Sequence, residues 1–194
     1  MAWKNEKWME DVFPGKENIY SQYRNLNARE FSIVSCAVVD AAISELISLR
    51  LKGTSSRELE TFLGVNGDGR APCGSLGAKL QLGYLLGILT KNDLKILRGF
   101  KKIRNTFAHS VNVDFSKPEI VKVVKGIYKL WIERSVAISE KTDFPVNIKR
   151  LKSFDEYFDI EPEACHGFLL GIFTTYQAYF HRLHDRIIKI NNAV

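Results

Sequence analysis

Apolar side chains recur at every third or fourth position along most of the chain, the spacing that places them on one face of an α-helix. The longest such stretch, Ala28 to Leu51, predicts a helix with a broad buried face that Gly53 ends as a C-cap. A second long helix is predicted over Glu163 to Ile190. The only strand-like alternation is the brief Val111 to Phe115. The pattern therefore predicts an all-α, single-domain helical bundle.

Capping residues divide the middle of the chain into shorter helices. Ser55 or Ser56 can cap a short helix through Phe62, and another helix is predicted from Ser75 to Leu89. This second helix contains three glycines, which cost helix stability and so indicate close packing of its backbone against a neighbour. The three are Gly77, Gly83 and Gly87.

Two further helices follow in the sequence. Asn92 or Asp93 is expected to start one that stops near His109. Ser116 and Glu119 have the spacing of a capping box around Pro118, which predicts the start of the next. Residues 1–27 are predicted to be an N-terminal appendage and residues 28–194 the bundle, with an irregular insertion near 141–161 where the helical period is lost.

Composition supports an ordinary globular protein. Of the 194 residues, 45% are hydrophobic and 26% charged, too apolar for intrinsic disorder. The longest apolar stretches are interrupted by polar residues such as Asp40 and His166, so no membrane span is expected. The N-terminus has no uninterrupted apolar segment, so no secretory signal is expected either.

The cysteines form no close pair and indicate neither a disulfide framework nor a zinc site. Cys36 and Cys165 lie on apolar helices and are expected to be buried, whereas Cys73 follows Pro72 in a loop and is expected to be accessible. A cytoplasmic location follows as an expectation. No cofactor is predicted, because Lys79 is followed by Leu80 and lacks the serine or threonine of a phosphate loop.

A metal site is not predicted either. His181 and Asp185 lie one helical turn apart with His184 between them, but a site would need a third protein ligand. These side chains are interpreted as the polar face of a long helix.

Positive charge is the first indication of a partner. The net charge of +6 and a pI near 9.2 suit a polyanion such as nucleic acid. Basic residues cluster on the helix that ends near His109, and a smaller group lies in the insertion around Arg150. Either a phosphate track or a solvated face explains the helical cluster. Its candidate nucleic-acid-binding residues are Lys95, Arg98, Lys101 and Lys102.

The end of the same helix contains the strongest chemical pattern. Arg104, Asn105 and His109 are candidate catalytic residues, because an arginine can bind a phosphate in bidentate fashion and an imidazole can transfer a proton near neutral pH. Such a phosphodiester-cleaving site needs no metal. The structural alternative pairs Arg104 with Asp40 or Asp114 and makes His109 a charge at the helix end.

These residues also support a resemblance. The sequence Arg-Asn-Thr-Phe-Ala-His at 104–109, the small-residue helix that starts at Gly74 and the internal Asp40 resemble the mannitol operon repressor family. Lys79 and Gly87 recur in the same pattern, which spans roughly 29–138. That family is in turn similar to the HEPN group of helical domains.

The resemblance implies a helical fold, a dimer and either a catalytic or a non-catalytic role. In active HEPN members the positions of Arg104, Asn105 and His109 form a metal-independent ribonuclease site, usually between two subunits. Other members bind nucleotides or act as non-catalytic partners. We therefore expect a homodimeric regulator of transcription that acts through nucleic acid or a regulatory protein. An endoribonuclease and a non-catalytic dimeric scaffold are the alternatives. No helix-turn-helix or zinc finger is found that would read DNA directly.

Overall fold

A computed structural model describes residues 23–51, 55–65, 70–110, 113–139 and 164–192. Within these ranges the chain forms helices and connecting loops and contains no β-strand, so the predicted all-α, single-domain bundle is confirmed. Val113 to Phe115, part of the strand-like stretch, lie in the loop before a helix. The helices are α1 Ala28–Arg50, α2 Ser56–Leu63, α3 Leu76–Leu85, α4 Lys91–His109, α5 Pro118–Ser139 and α6 Ala164–Asn192.

Helix α1 is the centre of the bundle. It packs against α2, α3, α4 and α6, while α5 completes the bundle by packing on α4 and α6. Of the described helices, α1 alone is long and apolar enough to pass as a membrane span, but 56% of its most apolar window is buried inside the protein. Burial against several helices explains its hydrophobicity, since a helix that is apolar on most sides lies in a core.

The N-termini of the helices are capped by the residue types that the sequence suggests. Ser55 and Ser75 accept hydrogen bonds from backbone amides in the first turns of α2 and α3. The start predicted for α4 is wrong by one to two residues, because the helix begins at Lys91. Thr90 is the N-cap, and Asp93 lies at the third helical position, where it completes a capping box with Thr90.

Other predicted boundaries are also corrected. Helix α1 ends at Arg50 with Leu51 as C-cap, before the predicted stop at Gly53, which lies outside the described residues. Helix α3 ends at Leu85, four residues earlier than predicted, and Gly87 then turns the chain with φ of +70°. Ser116 does not cap α5, because its hydroxyl and amide donate to the Asp114 carboxylate instead.

Close packing explains some glycines but not all. A Cβ atom at Gly83 would lie 2.9 Å from Cδ1 of Ile43, so α3 approaches α1 closely here, as predicted. A Cβ atom at Gly87 would meet nothing within 4 Å, so its role is the turn and the packing prediction is wrong there. Gly99 allows the closest approach, with Cγ1 of Ile127 on α5 only 2.6 Å from the position of a Cβ atom.

A buried polar network joins the start of α4 to α5 and α6. Asp93 is fully buried and accepts hydrogen bonds from Thr90, from Nε of Arg134 and from the Tyr176 hydroxyl at 2.8 Å. The Arg134 guanidinium also lies 4.4 Å from the ring centre of Tyr179. The carboxylate is thus compensated by a charge and by several donors, as a buried ion must be.

The structure describes only a small part of the predicted N-terminal appendage and none of the predicted insertion. Tyr23, near the end of the predicted appendage, is fully buried, packs edge-on against Phe173 and accepts a hydrogen bond from Gln177. The rest of the appendage before residue 23, and the predicted insertion at 141–161 with its basic residues, lie outside the described residues.

Candidate nucleic-acid interface

An open cleft of about 780 Å³ runs along α4 beside the start of α3. It is lined by cationic and neutral polar side chains, and the described residues of its lining include neither a carboxylate nor a phenylalanine, tyrosine or tryptophan ring. Such a surface suits an anion better than an apolar ligand. The lining residues are Gly77, Arg98, Lys101, Lys102, Asn105, Thr106, His109 and Ser110.

The amphipathic sequence of α4 creates this cleft. Leu97, Ile103 and Phe107 are buried on one side of the helix, as the sequence predicts, and fix its orientation in the bundle. Arg98 and Asn105 lie seven positions apart, about two turns, so they share the other side of the helix, where Lys101 and Lys102 lie between them. Burial of one face therefore aligns the polar and basic face along the cleft.

The cations of the cleft have neutral neighbours. Arg98 donates a hydrogen bond of 2.7 Å to the side-chain oxygen of Gln81 on α3. The Lys101 side chain crosses α3 at Gly77, where a Cβ atom would lie 3.4 Å from its Cε. Lys102 is exposed. Among the described residues, none of these three cations forms an ion pair with a carboxylate.

The predicted catalytic residues are brought together only in part. Asn105 and His109 line the cleft, and His109 is exposed at the end of α4. Arg104 is exposed but lies outside the lining, and its Nη1 donates a hydrogen bond of 3.1 Å to Oδ1 of Asn105. The Arg104 guanidinium is thus connected to the cleft by its hydrogen bond to Asn105.

The structural alternative for Arg104 is wrong. Neither of its proposed acidic partners is available, because Asp40 pairs with Lys79 at 2.7 Å and Asp114 accepts hydrogen bonds from Ser116. The Ser116 hydrogen bonds lower the pKa of Asp114. Arg104 therefore stays exposed without a carboxylate partner in the described part of the chain.

One predicted binding residue lies apart from the others. Lys95 is exposed on α4 but does not line the cleft, unlike Arg98, Lys101 and Lys102. It lies one turn before Arg98, nearer the start of the helix. Lys95 therefore serves as a control for the lysines of the same helix that line the cleft.

Sequence reasoning missed several neighbours of the site. Ser110 lines the cleft, and its carbonyl oxygen accepts a hydrogen bond from Arg29 at the start of α1. Gln81 positions Arg98, and Gly77 leaves the space that Lys101 crosses. Only Gly77 stood out in the sequence, as one of the unusual glycines of α3, because the other contacts join residues far apart in the chain.

All three cysteines are buried. This confirms the prediction for Cys36 and Cys165 and corrects that for Cys73, which the chain covers although it lies in a loop. Burial raises the pKa of Cys36 to about 12, with smaller effects of Arg104 and Lys101, which lower it, and of Asp40, which raises it. Burial also raises the pKa of Cys73, so neither thiol is an activated nucleophile.

The histidines of α6 make structural contacts. His184 lies 3.2 Å from the Glu45 carboxylate and so joins α6 to α1, and His181 lies 3.8 Å from Asp185. Within the described ranges, no group of three or more histidine, cysteine or acidic side chains is placed to bind a metal ion.

Comparisons with known proteins identify no relative. No protein-family model, no curated protein and no solved structure matches the chain.

Proposed function

We propose that the protein is a regulatory helical protein that binds the phosphate backbone of a nucleic acid in the α3–α4 cleft. The observation that supports this function is the lining of the cleft, whose described residues include Arg98, Lys101 and Lys102 and no carboxylate. Cations without an acidic partner bind phosphates and release their counterions, the main source of affinity for nucleic acids.

The form of the cleft favours contact with the backbone over recognition of bases. The described residues of its lining include no phenylalanine, tyrosine or tryptophan on which a base could stack, and the aromatic ring among them is the imidazole of His109 at the end of α4. The stretch from Arg98 to His109 extends about 16 Å along the helix axis, enough for a few consecutive phosphates. Regulation of transcription and a homodimer with its two α4 helices near a shared cleft are part of the proposal and rest on the resemblance to the mannitol operon repressor family. A cytoplasmic location is also part of the proposal and rests on the cysteines, which indicate no disulfide framework.

Salt-dependent binding tests this function. The affinity for labelled single-stranded RNA, measured by fluorescence anisotropy, should fall with salt, with a slope of log affinity against log salt near 2 in magnitude, about 0.7 for each of three contacts. The variant Lys101→Met/Lys102→Met should lower this slope by about 1.4 and weaken binding about twentyfold at about 0.1 M salt. Lys95→Met on the same helix is the matched control and should lower the slope by much less.

Two results would contradict the proposal. Binding that does not depend on salt would favour the non-catalytic scaffold, as would equal effects of the Lys95 and Lys101/Lys102 substitutions. Light scattering tests the assembly separately, and a monomer at every concentration would remove the shared cleft.

A metal-independent endoribonuclease is the second candidate function. The exposure of His109 in the cleft, next to Asn105 and its partner Arg104, favours it. In this role His109 would act as general acid or base, Arg104 would bind the scissile phosphate and Asn105 would orient one of them. Incubation of the purified protein with structured RNA in EDTA tests the activity, and intact RNA would exclude it.

A further inference from the structure

The ion pair between Lys79 and Asp40 is unusual in its burial. Lys79 on α3 is only 2% exposed, and its Nζ lies 2.7 Å from Oδ2 of Asp40 on α1, which is 34% exposed. A buried lysine is rare unless a charge partner compensates it. Such pairs contribute little net stability, because the loss of hydration offsets the attraction between the charges. Stability alone therefore gives a weak reason for this pair.

The position of the pair suggests another reason. Lys79 lies two residues after Gly77, which lines the cleft. Cys36, one turn before Asp40 on α1, is close enough to three charges for each to affect its thiol, and these belong to Asp40, Lys101 and Arg104. Asp40 therefore acts on the same thiol as Lys101, which lines the cleft. Among the described residues, Asp40 is also the only acidic group that raises the pKa of either the Cys36 or the Cys73 thiol.

We infer that Lys79 is an internal counter-charge that neutralises Asp40 and so keeps this carboxylate from repelling a polyanion in the cleft. The inference rests on the proposed function, since it concerns affinity for phosphates at that site. Lys79 does not reach a ligand, because it is buried, and it acts only through Asp40. Its substitution should therefore change affinity through charge, and removal of the Asp40 charge should reverse the effect.

Two variants isolate the charge of Asp40. Lys79→Met keeps a linear side chain and leaves the carboxylate uncompensated, whereas Asp40→Asn/Lys79→Met has neither charge. The affinity for a labelled poly-uridine oligonucleotide at low ionic strength should fall about two- to fourfold in the single variant, as expected for one unpaired charge that screening by salt does not yet remove. It should return to the wild-type value in the double variant, and the difference should shrink at high salt.

A purely structural pair predicts a different pattern. Both variants would then change the urea midpoint of unfolding but bind the oligonucleotide equally well, and this result would overturn the inference. The Lys101→Met/Lys102→Met variant serves as the reference for the site. If it binds as tightly as the wild type, the proposed function fails and the inference falls with it. If it loses affinity while Lys79→Met does not, only the inference fails.

A third variant covers the case in which Lys79→Met does not fold. Asp40→Asn with Lys79 retained removes only the negative member of the pair. At low ionic strength, its affinity for the oligonucleotide should rise about two- to fourfold. An unchanged or weaker affinity would overturn the inference.

Discussion

The guanidinium of Arg104 donates a hydrogen bond of 3.1 Å to the side-chain oxygen of its neighbour Asn105. Adjacent residues of a helix normally point in different directions, so the long arginine side chain must fold back across α4 to make this contact. The hydrogen bond occupies the amide oxygen of Asn105 and leaves the amide nitrogen as a donor on the residue that lines the cleft. Arg104 therefore influences the cleft without lining it.

Arg104→Ala should lower the free energy of unfolding by less than about 1 kcal/mol. The side chain is exposed and loses one hydrogen bond to a neutral, solvent-accessible group. Urea denaturation measures the change. A loss of several kcal/mol would instead indicate a buried ion pair, the alternative that the contacts of Asp40 and Asp114 exclude.

His109→Ala should abolish any RNA cleavage and cost at most about 1 kcal/mol of stability. The imidazole is exposed at the end of α4, where its charged form interacts only with the helix dipole. Cleavage of structured RNA in EDTA and urea denaturation give the two measurements. Activity that persists in the variant would come from a contaminating nuclease or another residue and would remove His109 from the candidate site.

Gly99→Ala should destabilise the protein by about 1–2 kcal/mol, although alanine is the better helix former. The new Cβ atom would lie 2.6 Å from Cγ1 of Ile127, so α4 and α5 would have to move apart. Gly126→Ala on α5 is the matched control, since a Cβ atom there meets nothing within 4 Å. The control should gain up to about 1 kcal/mol by urea denaturation. Equal gains in both variants would show that the α4–α5 contact is looser than described.

His166 should make stability depend on pH. Burial lowers its pKa from the ordinary value of 6.5, and its ring lies between Phe31 and Phe115 with centroid distances of 4.9 and 5.5 Å. The unfolded state then binds more protons than the native state below pH 6.5, so stability is full above this pH and is lost as the pH falls towards the lowered value.

The variant His166→Phe tests this dependence. Phenylalanine keeps an aromatic ring in the site and cannot be protonated, so the difference in unfolding free energy between variant and wild type should grow as the pH falls from 7 to 5. Urea denaturation at a series of pH values measures this difference. A constant difference would show that His166 titrates alike in both states.

The sequence was sufficient for elements that depend on local patterns. The apolar period of α4 located its buried residues Leu97 and Phe107, and the serines before α2 and α3 located two caps. The errors arose where a local pattern did not determine the residue at which a helix begins. Ser116 has the spacing of a cap, but α5 begins at Pro118, so Lys117 occupies the cap position, and the Ser116 hydroxyl and amide donate to the Asp114 carboxylate.

Long-range contacts explain the remaining differences at the candidate site. The basic residues of α4 were visible in the sequence, but nothing local distinguishes Lys95 from Arg98, because only the position of α3 decides which of them faces the cleft. The pairing of Lys79 with Asp40 joins residues 39 positions apart and removes the partner that the sequence offered to Arg104. Such choices are made by the packing of whole helices.

The network around Asp93 has a consequence for how the bundle comes apart. Its carboxylate lies on α4 and depends on Arg134 from α5 and Tyr176 from α6. Detachment of α5 would leave the charge without its counterion, and detachment of α6 would remove both a donor and the rings beside the guanidinium. A partly opened molecule is therefore penalised whichever helix leaves first. Helices α4, α5 and α6 should open in one cooperative step, and their core amides should report a single free energy of opening by hydrogen exchange.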